Sequence, residues 1–187
     1  MRIISGNLGG RKFNGKIPPG VRPTSDIARG SVFNKLQNII DFDGAIIADI
    51  CAGTGSMGIE CISRGAKFCA FVDSSRKSCD YIKQALDNFN IPKDTYTIIN
   101  KKSDKFSEYF NVNFPKLKFD IIISDPPYIE NVINTLLDDI LKYELLNKNG
   151  IIVVEYSSNR DLIIPEAMEL IDNKIFGETK LSYIQIK

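Results

Sequence analysis

The chain has 187 residues, 43% hydrophobic and 25% charged, with a formal net charge of +1. That composition excludes disordered, collagen-like and membrane-spanning chains, and it fits one globular domain with room for a small extension. Histidine is absent, so Ser-His-Asp triads, Cys-His dyads, His-ligated zinc and any imidazole base are excluded too.

Cys51, Cys61, Cys69 and Cys79 form no C-x-x-C pair. They read as reduced, mostly buried thiols of a cytoplasmic protein, and residues 1–6 hold no signal-peptide core. Residues 1–35 carry seven basic side chains against one acid, which leaves −5 on the remainder. A basic arm on a mildly acidic body suits a polyanion binder, and equally a solvated Lys/Arg-rich surface.

Residues 2–5 are apolar and β-branched, residues 6–10 are turn-forming, and 11–13 can return, which predicts a small hairpin. A Gly/Pro-rich loop spans 15–23. Thr24 or Ser25 can then cap a helix to about residue 40, with Ile27, Val32, Phe33, Leu36, Ile39 and Ile40 on one face. From residue 45 the pattern alternates. Strands are predicted over 45–51, 67–73, 95–100, 119–124 and 151–155. Helices are predicted over 57–64, 75–89, 103–110 and 131–143, the last ended by a turn at 147–150. Two final strands, about 168–176 and 180–186, flank a turn at 177–178. Apolar strands alternating with helices mean a parallel sheet covered on both faces, here with an antiparallel strand at or near one edge.

Two motifs carry chemistry. Gly53, Gly55 and Gly58 give G-x-G-x-x-G between a strand and a helix, where a nucleotide can approach the backbone; a tight packing turn is the plainer alternative. Asp73 ends the second strand, where a carboxylate can accept both hydroxyls of a ribose or cap the next helix. Adenosine is implied, in NAD or in S-adenosylmethionine. Asp49, four residues before Gly53, favours a cofactor with an ammonium and a sulfonium over a pyrophosphate.

The second motif is Asp125-Pro126-Pro127-Tyr128 after an apolar strand. The prolines remove two donors and stiffen the turn. The Pro126 carbonyl and the Asp125 carboxylate then offer two acceptors beside the Tyr128 ring, which matches a planar base carrying an exocyclic NH2. Acceptors on the two amino hydrogens draw the nitrogen toward sp3 and aim its lone pair, so positioning replaces a strong base.

With these motifs the chain resembles the class I, Rossmann-like methyltransferases, and more narrowly the bacterial family that methylates N2 of a guanine in 16S ribosomal RNA. The likeness runs through Arg2-Ile3-Ile4-Ser5-Gly6, Gly9-Gly10-Arg11-Lys12, Arg22-Pro23-Thr24-Ser25-Asp26 with Arg29, and Phe33-Asn34. It continues through the Asp49–Gly58 loop, Ser63-Arg64-Gly65-Ala66, Val72-Asp73, the D-P-P-Y tetrad and Val153-Val154-Glu155. The resemblance implies a mostly parallel seven-stranded α/β sheet with helices on both faces and an antiparallel C-terminal strand (residues 24–187), preceded by a basic RNA-contacting hairpin and loop (residues 1–23).

It further implies S-adenosylmethionine as cofactor, no metal, and no membrane. The partner is 16S rRNA or a small-subunit assembly particle, met by a monomer. Asp49, Gly53 and Gly55 would line the methionine end of the cofactor, with Cys51 among the binding residues and Asp73 on the ribose. Asp125, Pro126 and Tyr128 would hold the base. Arg2, Arg11, Lys12, Arg22, Thr24 and Arg29 would meet RNA. Such families commonly carry Asp-Ala after the third strand; here Lys102-Ser103 stands there, which leaves adenine to the Ser103 backbone and its apolar neighbours. D-P-P-Y alone also suits N6-adenine or N4-cytosine methylation.

Overall fold

The computed structural model describes residues 1–21, 23–126 and 132–187. In chain order the elements are α1 (Asp26–Leu36), β1 (Ile46–Ile50), α2 (Ser56–Ser63), β2 (Phe68–Val72), α3 (Arg76–Asn88), β3 (Tyr96–Ile99), α4 (Phe106–Asn113), β4 (Phe119–Ser124), α5 (Val132–Lys142), β5 (Leu146–Ser157), β6 (Met168–Phe176) and β7 (Thr179–Ile186). The seven strands lie in the order β3-β2-β1-β4-β5-β7-β6. β1 to β5 pair in parallel. β7 runs antiparallel to both β5 and β6, so β6 is the edge strand and shares the direction of the parallel set.

The central strands β1, β2 and β4 and the middle of β5 are nearly continuous buried apolar runs because both sheet faces are covered there, whereas the edge strand β6 is largely exposed. Alternate residues feed two cores. Ile47, Phe71, Ile121, Ile123 and Val153 meet α1, α2 and α3 through Val32, Phe33, Ile59 and Ile82. Ala48, Ile50, Ile122, Ile152 and Val154 meet α4 and α5 through Phe106, Phe110, Leu136 and Ile140.

Four expectations need correction. The N-terminal return is a single antiparallel bridge, Arg2 to Lys12, rather than a strand pair. It is held by Ile3 N–H to the Arg11 carbonyl at 3.0 Å and Gly10 N–H to the Ile3 carbonyl at 2.9 Å. Ser25 does cap α1, accepting from Ala28 N–H at 3.1 Å, but the helix ends at Leu36 and Ile27 is 84% exposed. Ile27 lies about 180° around the helix from Leu36, so the two cannot share a buried face. Residues 147–150 belong to β5, where the pairing to β4 shifts register; the helix before them ends at Lys142, and the turn after it contains Glu144, whose φ is +49°. Finally, the predicted helix at 103–110 begins as a 3-10 turn over Ser103–Lys105 and becomes α-helical only from Phe106.

Candidate active site

The site forms where β1, β2 and β4 end side by side. Parallel strands bring their C-terminal ends to one edge, and the chain leaves each in a different direction, opening a crevice there. Hydrogen bonds knit the ends together. Ala52 N–H donates to the Val72 carbonyl at 3.0 Å, Asp73 N–H to the Ile99 carbonyl at 3.1 Å, and Asp125 N–H to the Ile50 carbonyl at 3.3 Å.

Between β1 and α2 the backbone is left-handed three times in five residues: Cys51 (φ +61°), Gly53 (φ +54°) and Gly55 (φ +69°). Glycine adopts this freely, whereas for Cys51 it costs on the order of 1–2 kcal/mol. The third glycine has a different task. A Cβ at Gly58 would lie 2.3 Å from the Phe71 ring, so Gly58 lets α2 press against β2. A Cβ at Gly53 would stand 3.2 Å from the Val21 side chain, which places the Gly/Pro loop directly over the glycine turn.

Asp73 uses both carboxylate oxygens on backbone. Oδ2 accepts from Gly53 N–H and Oδ1 from Ser75 N–H, each at 2.8 Å. It thus fixes the glycine turn and serves the start of α3, where Ser75 is the cap proper. Asn100 Nδ2 donates to the Asp73 carbonyl at 2.9 Å, tying the β3 end to the same corner.

Asp49 is buried and accepts from Gly58 N–H at 2.9 Å. Burial pushes its carboxyl up to about 7; the Gly58 bond opposes the rise, and the Asp125 and Asp73 carboxylates add to it. Among the described residues no basic side chain contributes there. The same surroundings push the half-buried Cys51 thiol up to about 12, first through desolvation and then through Asp73, with a hydrogen bond from Ser103 opposing. The structure therefore brings Asp49, Cys51, Gly53, Gly55, Asp73, Ser103 and Asp125 to one crevice. Pro126 follows, buried. Tyr128 lies outside the described residues.

A cationic nucleoside ligand fits these groups. The crevice gathers acids, with no described lysine or arginine among the groups that act on Asp49, and a positive charge would recover the energy lost by desolvating that carboxyl. Among the described residues, no His/Cys/Asp/Glu group is arranged to hold a metal ion. No helix among them is long and apolar enough to cross a membrane.

The basic residues divide. Arg2 and Lys12 are exposed, and Thr24 is half-buried just before the α1 cap; Arg22 lies outside the described residues. Arg11 is exposed but committed: its guanidinium donates to the Phe89 and Asn88 carbonyls at 3.0 and 3.3 Å and lies over the Phe89 ring. It caps the C-terminus of α3. Arg29 is a correction. It is 2% exposed and spends its guanidinium on the Arg2 carbonyl and on Asp26 at 2.9 Å, so it braces the N-terminal segment and presents nothing to a phosphate.

Sequence reasoning missed Glu60. This fully buried acid on α2 accepts from Ile4 N–H at 2.8 Å and Ser5 N–H at 3.0 Å, and pairs with Arg64 at 3.0 Å. With Leu8 N–H donating to Ser63 Oγ at 3.0 Å, it fastens the N-terminal segment to the helix that the glycine turn begins. An acid amid Met57-Gly58-Ile59 and Cys61-Ile62 was the available signal.

The chain is similar to known proteins over nearly its whole length. The family model described as "Conserved hypothetical protein 95" matches residues 1–185. The chain is 33% identical over 168 residues to a Bacillus subtilis protein named "Putative rRNA methyltransferase", covering 90% of this chain and 88% of that protein. It is 30% identical over 177 residues to "Ribosomal RNA small subunit methyltransferase D" of Haemophilus influenzae, covering 95% and 89%. Among solved structures, a "Putative methyltransferase" from Escherichia coli superposes with a TM-score of 0.86 at 24% identity, over 100% of this chain and 98% of that one, and shares its fold.

Proposed function

Because the chain belongs to the conserved hypothetical protein 95 family, we propose that it is an S-adenosylmethionine-dependent methyltransferase of small-subunit ribosomal RNA, and that its acceptor is the exocyclic N2 of a guanine. The observation that carries this reading is the meeting, at one sheet edge, of the buried Asp49, the Asp73 carboxylate and the Asp125-Pro126 pair. One half suits a cationic methyl donor and the other an amino group.

When bound, S-adenosylmethionine supplies an electrophilic methyl group on a sulfonium. The chain's own residues do the rest. Asp49 and the backbone of Gly53 and Gly55 hold the methionine end. Asp73 keeps a lone pair on each oxygen for the ribose hydroxyls, since each already accepts only one backbone bond. Ser103, beside Cys51, borders the adenine. Asp125 and the Pro126 carbonyl accept the two amino hydrogens of the base, and Tyr128 stacks its ring. Held this way, the nitrogen lone pair points at the methyl carbon, and the Asp125 carboxylate accepts the proton shed after transfer. Preorganised acceptors of this kind contribute about 10²–10³ in rate.

Arg2, Lys12, Arg22 and Thr24 contribute phosphate contacts that fix register without reading sequence. The substrate is free rRNA or an assembling small-subunit particle, approached by a monomer in the cytoplasm. The test is to methylate small-subunit rRNA with labelled cofactor and digest the product to nucleosides. N2-methylguanine is the expected product. N6-methyladenine or N4-methylcytosine would overturn the acceptor assignment, and an unlabelled RNA would overturn the substrate.

A further inference from the structure

A guanine gripped at its amino edge by Asp125 and Pro126 has to leave its stack, and extrusion costs a few kcal/mol unless something fills the gap. Proteins that unstack bases commonly insert an apolar side chain for this purpose. The place for such a side chain is the rim of the crevice, on a rigid element.

The geometry fixes where α1 begins. Lys174 Nζ donates to Ser31 Oγ at 3.1 Å, and Lys35 pairs with Asp172 at 2.7 Å. Residue numbers thus rise along α1 as they fall along β6. Since β6 shares the direction of the parallel strands, α1 runs against them, and its first turn stands at the edge where they end. That is the edge of the crevice. The first turn is also tethered laterally. Val21 packs on the Gly53 position, and the four residues from Val21 to the Ser25 cap span at most roughly 14 Å. α1 also covers the face from which Ile121 and Ile123 project, and Asp125 continues their two-residue period.

On that first turn Ile27 is 84% exposed. A lone exposed isoleucine means little by itself; its neighbours give it meaning. Ser31 lies one turn below on the same stripe, and it holds the Lys174 ammonium, which also sits over the Phe176 ring at 4.9 Å. Asn34, exposed, continues the stripe a further turn on. A large apolar tip at the rim, followed one turn down by an anchored cation, matches a strand of RNA with one base missing from its stack and a phosphate beside the gap.

Building on the function proposed above, we propose that the outer face of α1 receives the RNA strand. Ile27 wedges into the space left by the extruded guanine, and Lys174, steadied by Ser31, holds a flanking phosphate.

The experiment uses the full chain and two RNAs that share the target guanine, a stem-loop and an unstructured oligonucleotide, each with 2-aminopurine next to that guanine. Wild-type protein should brighten 2-aminopurine in the stem-loop on binding. Ile27→Ala should lose most of that rise and methylate the stem-loop about 10–100-fold more slowly, while its rate on the unstructured RNA stays within about twofold of wild type. Ile27→Leu should restore both. Lys174→Ala should weaken binding of both RNAs and lower the salt slope of the affinity by about one. Ile27 is at the surface, so an unchanged melting temperature checks the fold.

Wild-type brightening and rates in Ile27→Ala would overturn the wedge, as would an equal loss on both RNAs. An unchanged salt slope in Lys174→Ala would overturn the phosphate contact. Failure of wild-type protein to methylate either RNA would instead refute the function proposed above. The brightening is read without transfer and keeps the two apart.

Discussion

Two buried acids meet one short helix, Asp49 from β1 and Glu60 from within α2, and their surroundings differ. Glu60, in the lower half of α2, is met by two backbone donors and by an arginine. Asp49, beneath the upper end of α2, accepts one backbone bond and faces two other carboxylates. The first acid is satisfied and its work is mechanical: it fastens the N-terminal segment to the body. The second keeps a raised proton affinity, and its proposed work is to receive positive charge. What a buried acid does is thus legible in its donors, because burial has a cost that hydrogen bonds and opposite charge must repay.

The comparison can be broken most severely at its reactive end. Asp125→Ala should lower single-turnover methyl transfer by about 10³-fold or more while leaving cofactor affinity within a few-fold, since it removes an acceptor that acts on the base. Loss of both together would move Asp125 to the cofactor side. Next in size, Glu60→Ala should cost about 3–5 kcal/mol in denaturant unfolding, because it removes the partner of the largely buried Arg64 and leaves two partly buried backbone donors unpaired.

Asp49→Asn sharpens the contrast, and its sign differs. An aspartate normally titrates near 3.8, and this one is raised to about 7. Between those values the folded protein keeps a proton that the unfolded chain has released. The free protein therefore loses stability as pH rises through that window, by about 4 kcal/mol at the limit. Asp49→Asn should flatten this slope in melts from pH 4 to 8 and equal or exceed wild-type stability at pH 8, while binding cofactor more weakly. The smallest effect belongs to the arm. Arg11→Ala should cost about 1 kcal/mol through loss of the α3 cap, measured by thermal melts.

Much of this was legible in the sequence, because the strands are period-free apolar runs bounded by turn residues. The order of motifs along the chain, glycine turn, Asp73, then Asp125-Pro126, placed the crevice before any geometry was known. What could not be read depended on long-range partners. Arg29 looked like one more cation of a basic arm, yet it folds under the Arg2 carbonyl twenty-seven residues away. Ile27 looked like part of a core face because α1 has no clean apolar stripe: the buried set of Arg29, Val32, Phe33 and Leu36 includes an arginine. Glu60 stood out only as an acid in an apolar stretch, and its task could not be read because its donors come from residues 4 and 5, across a gap that no local pattern spans.

The most direct test of the central claim is proton release on cofactor binding, measured by titration calorimetry at pH 7 in buffers of different ionisation enthalpy. With the Asp49 carboxyl raised to about 7 and a cationic ligand favouring its ionised form, wild-type protein should release more protons than Asp49→Asn does. Equal proton counts for the two proteins would contradict the account, because Asp49 would then not respond to the charge it is proposed to receive.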